Sequence, residues 1–348
     1  MCYIRKGGKP MNTIGVLTSG GDAQGMNAAV RAVVRSAIAN GFRVMGVKRG
    51  YSGLINGDIE ELTARSVSET LNRGGTFLRS ARCLEFKEEA GIVKATETCK
   101  KFGIDGMVVI GGDGSFRGAR DLTLHGIPTV AMPGTIDNDI VCSDYTIGFD
   151  TAVNICVDLI DRLRDTCNSH DRCSVVQIMG KNAGWVTLEA SLATGATSTI
   201  VPEIAFDFEK DVVQRIERGK ALGKNHFIVL VSEGVFFDVK SNKNYQYVMD
   251  KKIANATDFA RLVEKTTGVE TRETILGHVQ RGGSPTAKDR VMATEMGNYC
   301  VNLLKNGISN RVVVVRNSQI TDYDIVEALQ MQKPFDLKRY QLANLINI

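Results

Sequence analysis

Short runs of β-branched and other apolar residues, each ending in a cluster of glycine, aspartate or serine, recur along this chain. Residues 13–17 precede TSGGDAQGMN, and residues 107–110 precede GGDGS. A helical spacing of apolar residues follows each cluster, over about 28–40 and 116–124. Strands that alternate with helices are typical of parallel sheets with helices on both faces. The sequence therefore predicts an α/β fold with mostly parallel sheets in three α/β/α layers.

Four further runs have the length of strands and end in polar or glycine-containing segments. They cover 128–132 before PGTIDND, 174–179 before GKNAGW, 227–231 before SEG, and 274–276 before GHVQRGG. In open parallel sheets, ligands bind beyond the carboxyl ends of the strands. Because the glycine and acid clusters follow the strands, we expect the active site at those ends.

The length of 348 residues suggests about two domains, with a boundary expected near 148–153. The segment 236–247, FFDVKSNKNYQY, alternates around a polar centre and predicts a surface hairpin. The opening MCYIRKGGKP has basic residues but no apolar stretch, which is not typical of a secretory signal. We expect residues 1–10 to form a flexible N-terminal extension.

Charge and cysteine usage narrow the class of partner. A net charge of +4 is too small to indicate nucleic acid or another polyanion, but it is compatible with small anionic ligands. No apolar run approaches the ~18 residues of a membrane helix, so no membrane partner is expected. The eight cysteines form no CxxC pair and have no zinc-site spacing, which indicates reduced thiols in a cytoplasmic protein.

Two glycine-rich segments between a strand and a helix suit phosphate. The glycines of SGGDAQGMN (19–27) allow a close approach of the backbone, and a helix start favours anions. A tight turn without a ligand explains that segment equally well, and it lacks the ending of a Walker A loop. GGDGS (111–115) adds Asp113, a carboxylate suited to the metal ion of a nucleotide. GGDG occurs in several kinase families, so it indicates a nucleotide phosphate without identifying a substrate.

PGTIDND (133–139) is the most specific motif. In an extended segment Asp137 and Asp139 would point to one side. One carboxylate would accept a hydroxyl proton, while the other orients its neighbour or acts through metal-bound water. An isolated DND is more often an acid-rich turn, but its place after a strand favours catalysis. HVQRGG (278–283) and Arg272 offer phosphate-binding arginines, which alone would suit solvated surface positions equally well.

Together these motifs resemble the 6-phosphofructokinase family, in its bacterial ATP-dependent type. The resemblance runs from about Met11 to the C-terminus. It rests on IGVLTSGGDAQGMNAAVR, NRGGTFLRSAR, VVIGGDGS, PGTIDND, YTIGFDTA, IDRLRDT, ETILGHVQRGGSP, and the pair Asp289 and Arg290. It implies two Rossmann-like domains with the active site in the cleft between them. Residues 11–148 plus about 280–330 would bind ATP, and residues 149–279 plus about 331–348 would bind fructose 6-phosphate.

The resemblance implies transfer of the ATP γ-phosphoryl group to the 1-hydroxyl of fructose 6-phosphate, giving fructose 1,6-bisphosphate and ADP. Asp137 would be the general base, Thr135 and Arg82 further catalytic residues, and Asp113 the ligand of Mg²⁺. The positions implied for ATP are Gly21, Tyr51, Arg82, Cys83, Gly112, Asp113, Gly114 and Ser115. The positions implied for fructose 6-phosphate are Thr135, Ile136, Asp137, Arg172, Met179, Gly180, Lys181, Glu233, Arg272, His278, Val279, Gln280 and Arg281.

Arg172 and Arg272 match ligands of the 6-phosphate that come from a neighbouring subunit, so the resemblance implies a homotetramer with shared sites. Three features depart from the family pattern. Lys181 stands where relatives usually have Arg, and Cys83 stands where an aromatic residue is common. Roughly eighteen extra residues, including the predicted hairpin, follow Glu233.

The family's effector site for ADP and phosphoenolpyruvate is matched only in part. The matching cationic residues are Arg31, Arg35, Arg164 and Lys224. Thr197 stands where Glu is expected, and Leu222 stands where Lys is expected. We therefore expect weak allosteric control, and the spacing of Arg31 and Arg35 equally suits a solvated helix face.

Two glycines bear on the phosphoryl donor. In the pyrophosphate-dependent branch of the family, Gly114 is typically Asp and Gly134 is typically Lys, so glycine at both positions favours ATP. The competing interpretations are a pyrophosphate-dependent phosphofructokinase, an NAD or lipid kinase with GGDG, and an inactive ligand-sensing paralogue. PGTIDND and HVQRGG argue against the second, and the presence of Asp113 and Asp137 argues against the third.

Overall fold

The computed structural model describes residues 11–347. The N-terminal extension predicted over 1–10 lies outside these residues. The strands are β1 (Thr13–Ser19), β2 (Arg43–Val47), β3 (Ile59–Leu62), β4 (Gly106–Gly111), β5 (Thr129–Pro133), β6 (Cys173–Ile178), β7 (Ser198–Ile200), β8 (Phe227–Ser232), β9 (Thr271–Ile275), β10 (Arg311–Arg316) and β11 (Gln319–Asp324).

Helices connect most of these strands. They are α1 (Met26–Ala39), α2 (Gly50–Asn56), α3 (Glu89–Lys101), α4 (Asp113–Leu124), α5 (Phe149–Ser169), α6 (Trp185–Thr194), α7 (Gln214–Ala221), α8 (Tyr245–Asp250), α9 (Ala256–Thr267), α10 (Ala287–Lys305), α11 (Ile325–Gln330) and α12 (Leu337–Ile346). Short 3₁₀ turns occupy Glu85–Lys87, Glu233–Phe236 and Gly277–Arg281, and a π turn occupies Glu209–Val213 before α7. None of the described helices combines the length and apolar character needed to cross a membrane.

The chain divides into two compact units. Unit 1 comprises the described residues through Thr151 together with Arg281–Lys333. Unit 2 comprises Ala152–Gln280 and the described residues from Pro334 onward. The ligand that each unit binds remains a prediction.

Unit 1 is built on a seven-stranded sheet in the order β11-β10-β5-β4-β1-β2-β3. Its five central strands run parallel, and the two edge strands, β3 and β11, pair antiparallel with their neighbours. β1, β4 and β5 are buried along their whole length. Strands covered on both faces appear in a sequence as continuous apolar runs, which is why these three were predictable.

Unit 2 has a four-stranded parallel sheet in the order β7-β8-β6-β9. β6 and β8 are central and mostly buried, whereas the edge strand β9 is largely exposed. Phe206, Phe208, Phe227 and Phe259 belong to the core on one side of this sheet. The predicted α/β fold with mostly parallel sheets is confirmed, although β9 begins three residues earlier than the run predicted over 274–276.

The prediction of a surface hairpin over 236–247 is wrong. This segment forms no strand, and it ends in α8. The Asn244 side chain accepts a hydrogen bond from the Phe206 N–H at 2.9 Å and donates to the Val201 and Ile204 carbonyls, each at 2.9 Å. The Tyr247 ring packs edge-on against Phe206, with 5.0 Å between ring centroids. Because its polar centre is anchored within unit 2, the segment folds back on the unit as a loop and a helix.

Candidate active site

Three motif-bearing loops leave the sheet of unit 1 at one edge. β1, β4 and β5 are neighbours, and the register pairs Gly111 with Ser19 on one side and with Pro133 on the other. SGGDAQGMN, GGDGS and PGTIDND therefore begin side by side at the carboxyl ends of parallel strands. This is the edge at which open α/β sheets bind ligands.

Gly111 lets the first two loops approach closely. A Cβ atom at this position would lie 2.4 Å from the Ser19 carbonyl oxygen and 2.3 Å from Ser115 Oγ. The Ser115 hydroxyl donates a hydrogen bond to the Ser19 carbonyl at 3.3 Å, and the Gly134 N–H donates to the Gly111 carbonyl at 3.0 Å. Any side chain at residue 111 would therefore push the first two loops apart.

α4 begins at Asp113, three residues before the predicted start at 116, so GGDGS contains the first turn of the helix. A helix N-terminus attracts phosphate through its backbone N–H groups and its dipole. Added Cβ atoms at Gly112 and Gly114 would meet no atom within 4 Å, so the chain leaves open space there. The Asp113 carboxylate is about half exposed and pairs with Arg117 Nε at 3.1 Å.

Tyr51 supports this helix start from the buried side. Its hydroxyl donates a hydrogen bond to the Ser115 carbonyl at 2.7 Å, and its ring stacks on Phe86 at 4.1 Å between centroids. Gly118 makes room for the ring, because a Cβ there would lie 2.5 Å from it. Burial raises the pKa of Tyr51 well above its usual value. Tyr51 contacts the first turn of α4, and its part in nucleotide binding remains a prediction.

Asp137 is buried in the loop after β5. The Thr135 N–H donates to the Ile147 carbonyl at 3.0 Å, and the Asp137 N–H donates to Thr135 Oγ1 at 3.3 Å. Asn138 has a φ of 50°, so the chain turns between the two aspartates. The extended geometry predicted for Asp137 and Asp139 is therefore wrong. Asn adopts this left-handed conformation more readily than most residues, which explains the turn.

The segment before Arg82 and Cys83 lies against the end of β1. The Thr18 hydroxyl donates to the Arg79 carbonyl at 2.9 Å, and the Ser80 hydroxyl donates to the Gly20 carbonyl at 2.5 Å. Arg82 itself is exposed, and Cys83 is half-buried against the core of unit 1. These contacts bring the chain just before Arg82 to the same edge as GGDGS.

Arg281 belongs to unit 1 and lies against the loop after β1. Its Nη1 donates to the Asp22 carbonyl at 2.8 Å, and a Cβ at Gly21 would lie 2.9 Å from the same nitrogen. The Gln24 side-chain amide donates to the Gly282 carbonyl at 2.7 Å. Of the residues predicted for the sugar phosphate, Arg281, Thr135, Ile136 and Asp137 are therefore in unit 1.

Asn27, which the motif analysis did not single out, anchors the NRGGTFLRSAR segment. Its side-chain amide donates to the carbonyls of Arg73 at 3.1 Å and Gly74 at 3.0 Å. Its amide oxygen accepts a hydrogen bond from the Phe77 N–H at 2.8 Å. The only signal in the sequence is its position at the end of SGGDAQGMN, where α1 begins.

Asp289 has a structural role that the sequence motifs did not predict. Its fully buried carboxylate accepts hydrogen bonds from the Tyr145 hydroxyl at 2.5 Å, from the Gly148 N–H at 2.7 Å, and from both the N–H (2.9 Å) and the hydroxyl of Thr151. Burial raises the pKa of this carboxyl, whereas the hydrogen bonds oppose that shift. Asp289 thus joins the start of α10 to the start of α5.

The carboxyl edge of the unit 2 sheet gathers most of the other residues predicted for the sugar phosphate. Ile178 at the end of β6 pairs with Ser232 at the end of β8. Glu233 Oε1 accepts hydrogen bonds from the Gly180 N–H at 3.2 Å and the Lys181 N–H at 2.7 Å. Gln280 Oε1 accepts from the Met179 N–H at 2.8 Å. His278 and Val279 lie in the same 3₁₀ turn as Gln280 and are exposed.

Arg172 and Arg272 lie at the opposite end of this sheet. Arg172 precedes β6, and Arg272 pairs with Ser174 near the amino end of that strand. Both guanidinium groups contact Glu270 Oε1, at 2.8 Å from Arg172 and 2.6 Å from Arg272, and they lower the pKa of Glu270. Six residues at roughly 3.3 Å each separate Arg172 from the carboxyl end of β6, or about 20 Å. The arginines of one chain are therefore far from Gly180 and Glu233 of that chain.

The residues that match the effector site fall into two groups. Arg31 and Arg35 lie on α1 in unit 1, where burial and the neighbouring charge of Arg35 lower the pKa of Arg31. Arg164 and Lys224 are neighbours in unit 2, and burial together with Arg164 lowers the pKa of Lys224. Thr197 is buried in unit 2, with its hydroxyl accepting a hydrogen bond from the Ile228 N–H at 3.3 Å, and Leu222 is exposed.

The residues at the GGDGS edge fit a magnesium ion that is held largely by phosphate. Within residues 11–347, no group of three His, Cys, Asp or Glu side chains could hold a metal ion. Mg²⁺ at nucleotide sites is commonly bound by one or two carboxylates, substrate phosphates and water. The single, half-exposed Asp113 carboxylate suits that arrangement, since a complete protein cage is not required.

Comparison with known proteins identifies the family. The phosphofructokinase family model matches residues 13–304. The ATP-dependent 6-phosphofructokinases of Clostridium tetani strain Massachusetts / E88 and Clostridium botulinum strain Loch Maree / Type A3 are each 51% identical to the chain over 337 residues, covering 97% of this chain and 100% of each relative.

Solved structures agree with this assignment. A phosphofructokinase from Saccharomyces cerevisiae superposes with a TM-score of 0.82 at 33% identity over 92% of this chain, which spans 45% of the yeast chain. A pyrophosphate-dependent phosphofructokinase from Marinobacter aquaeolei shares the fold, with a TM-score of 0.80 at 19% identity over 94% of this chain and 86% of that chain. The chain belongs to the phosphofructokinase family.

Proposed function

We propose that the chain is an ATP-dependent 6-phosphofructokinase, which transfers the γ-phosphoryl group of ATP to the 1-hydroxyl of fructose 6-phosphate. The observation that carries this proposal is the meeting of GGDGS and the Asp137 loop on the neighbouring strands β4 and β5, in a chain 51% identical to enzymes of that name. The products are fructose 1,6-bisphosphate and ADP.

The residues of the chain contribute positioning and charge. Asp137 accepts the proton of the attacking hydroxyl as general base, and Thr135 orients that hydroxyl beside the phosphoryl group. The N-terminus of α4 binds donor phosphate, and Arg82 neutralises charge in the transition state. Mg²⁺, when bound through Asp113, would neutralise the donor phosphates. Met179, Gly180, Lys181, Glu233, His278 and Arg281 bind the sugar phosphate in this proposal.

The proposed donor is ATP because the space beside Gly114 is open. A side chain at this position would enter that space, and an aspartate would add a negative charge close to the donor phosphates. Gly134 has no such open space beside it, since a Cβ there would lie 2.9 Å from Ile110 Cγ2. We therefore assign most of the discrimination against pyrophosphate to Gly114.

A coupled assay tests the activity. The protein is supplied with fructose 6-phosphate, Mg²⁺ and either ATP or pyrophosphate, and product formation is followed for each donor. We expect a higher kcat/KM with ATP. A higher value with pyrophosphate would support the alternative donor, and no turnover with either donor would contradict the proposed reaction.

We also propose that sites are shared between subunits, as a homotetramer would allow. The support is the distance of about 20 Å along β6 that separates Arg172 from the other sugar-phosphate residues of unit 2. These arginines would serve the 6-phosphate bound to a neighbouring copy of the chain.

Subunit mixing tests this arrangement. Arg172→Ala and Asp137→Asn each inactivate a shared site, but a site formed by one chain of each kind can be intact. Mixing the two variants under exchange conditions should restore activity, whereas mixing Arg172→Ala with the double variant Asp137→Asn/Arg172→Ala should not. Full activity in a verified monomer would contradict shared sites.

A cytoplasmic location belongs to the same proposal. Seven cysteines in residues 11–347 are free thiols, and six of these are buried. Burial raises the pKa of Cys99 and of Cys156 to about 12, so these thiols are poor nucleophiles. Reduced, unreactive thiols suit a reducing compartment.

A further inference from the structure

Lys333 reaches the loop of Asp137 from a distant part of the sequence. It follows α11 and is the last residue of unit 1 before the chain passes to unit 2 at Pro334. Its ammonium Nζ donates a hydrogen bond to the Asn138 carbonyl at 2.7 Å. This contact joins residues 195 positions apart. Its acceptor, Asn138, is the residue that directly follows Asp137.

Asn138 is the residue at which the loop turns. Its φ of 50° lies in the left-handed region, which Asn adopts more readily than most residues with a side chain, and such a conformation persists when the surroundings hold it. Its side-chain amide donates to the Asp144 carbonyl, but at a long 3.4 Å. Asn138 is also buried, and a charged donor forms a stronger hydrogen bond than a neutral one. Of the two hydrogen bonds made by Asn138, the one from Lys333 is shorter and has a charged donor.

Both attractive and repulsive charges surround the Lys333 ammonium. The carboxylates of Asp139 and Asp144 attract it, whereas Arg316 repels it. Asp144 is itself fixed, since it accepts hydrogen bonds from Arg316 Nη1 and from the Asn317 N–H, each at 2.8 Å. The turn between β10 and β11 therefore supports the same loop.

We propose that Lys333 is a positioning residue for the general base. By binding the Asn138 carbonyl, its ammonium fixes the peptide that follows Asp137 and so holds the Asp137 carboxylate in the geometry for proton transfer. This inference rests on the proposed function, because it assigns a cause to the placement of the base proposed there. Small displacements of a catalytic group are costly, and about 1 Å can lower a rate by about 100-fold.

Substitution of Lys333 tests the proposal in the full-length protein with ATP and fructose 6-phosphate. Lys333→Met keeps the length of the side chain but removes the donor, and we expect kcat to fall by about 10- to 100-fold while KM for both substrates changes less than about threefold. Lys333→Arg keeps a charged donor and should recover much of kcat. The matched control is Lys220→Met, because Lys220 also donates to a backbone carbonyl, that of Thr267 at 2.8 Å, elsewhere in the chain.

The outcomes separate this inference from the proposed function. If the wild type shows no turnover, the proposed function fails; if the wild type is active and folded Lys333→Met keeps kcat within about twofold, only the role of Lys333 fails. Equal losses in the Met and Arg variants, or a loss confined to KM, would also overturn it. If Lys333→Met does not fold, kcat of Lys333→Gln is compared with kcat of Lys333→Arg. Equal kcat values in these two variants would overturn the positioning role.

Discussion

Side chains from distant segments hold the carboxyl edges of both sheets, but the two edges differ in how far their candidate functional residues are exposed. Thr135 and Asp137 in unit 1 are buried, whereas Lys181 in unit 2 is exposed. In unit 1, buried side chains from distant segments bind the loops, as Asn27 does for NRGGTFLRSAR and Asp289 for the start of α5. In unit 2, the loop after β6 is held mainly by Glu233 and Gln280, which accept hydrogen bonds from three successive backbone N–H groups. His278 and Val279 beside them are exposed.

Under the proposed function, the unit 1 edge carries out the proton transfer and the unit 2 edge binds the sugar phosphate. Chemistry that depends on the position of a proton acceptor needs a base that cannot move, and the buried hydrogen bonds of unit 1 supply that rigidity. A binding surface for a polar sugar phosphate can remain open to solvent. It needs only a few hydrogen bonds that orient the backbone N–H groups of the protein. We therefore expect substitutions at the unit 1 edge to lower kcat and substitutions at the unit 2 edge to raise KM.

The largest expected effect is at Asp137. Asp137→Asn should lower kcat by ~10²–10⁴, the usual contribution of a positioned general base, while KM for both substrates changes little. Steady-state kinetics measures both constants. The matched control is Asp105→Asn, because the Asp105 carboxylate binds the Asn12 and Thr13 N–H groups at the amino end of β1. Near-normal kcat in Asp137→Asn would show that another group accepts the proton.

Gly114 tests how the open space of unit 1 selects the donor. Gly114→Asp should fold normally, since its Cβ meets no atom within 4 Å, but kcat/KM for ATP should fall by about 100-fold through repulsion of the phosphates. Gly114→Asn has the same shape without the charge and should lose less. If Asp and Asn are equally impaired, space rather than charge controls the donor.

A smaller effect is expected at Glu233, on the unit 2 side of the comparison. Glu233→Ala removes the acceptor for the Gly180 and Lys181 N–H groups, so the loop after β6 should lose its orientation. We expect KM for fructose 6-phosphate to rise about 10-fold, with KM for ATP unchanged. Glu233→Gln keeps an acceptor oxygen and should be milder. A fall in kcat alone would contradict the assignment of binding to this edge.

The last expected effect is on stability and not on activity, and it is the contribution of Lys333 to the pH dependence of unfolding. Burial, together with the positive charge of Arg316, lowers the pKa of Lys333 from 10.5 to about 8. Asp144, Asp139 and Cys142 oppose this shift. Because the folded state releases this proton more readily than the unfolded state, wild-type stability should rise relative to Lys333→Met between about pH 8 and pH 10.5.

Denaturant unfolding of both proteins at several pH values measures this difference. We expect a relative gain of about 1–3 kcal/mol across the window. The difference should be constant well below pH 8, where Lys333 is protonated in both states. A relative stability that falls with rising pH would contradict the direction of the pKa shift.

Local patterns in the sequence were enough to predict the family and the main elements. β1, β4 and β5 could be predicted because strands buried on both faces appear as unbroken apolar runs. The glycine clusters marked the ends of these strands, because a close backbone approach such as that at Gly111 excludes side chains. Both signals depend on neighbouring residues, so they survive in the sequence without knowledge of the fold.

Only the tertiary structure decided the features that depend on distant contacts. The polar alternation of 236–247 resembles a hairpin, but Asn244 is anchored to carbonyls about 40 residues away, at Val201 and Ile204. The turn at Asn138 is held by Lys333, 195 residues along the chain, and Asp289 binds Gly148 from 141 residues away. Such hydrogen bonds leave no local pattern, because their partners are brought together only when the sheet and its helices pack.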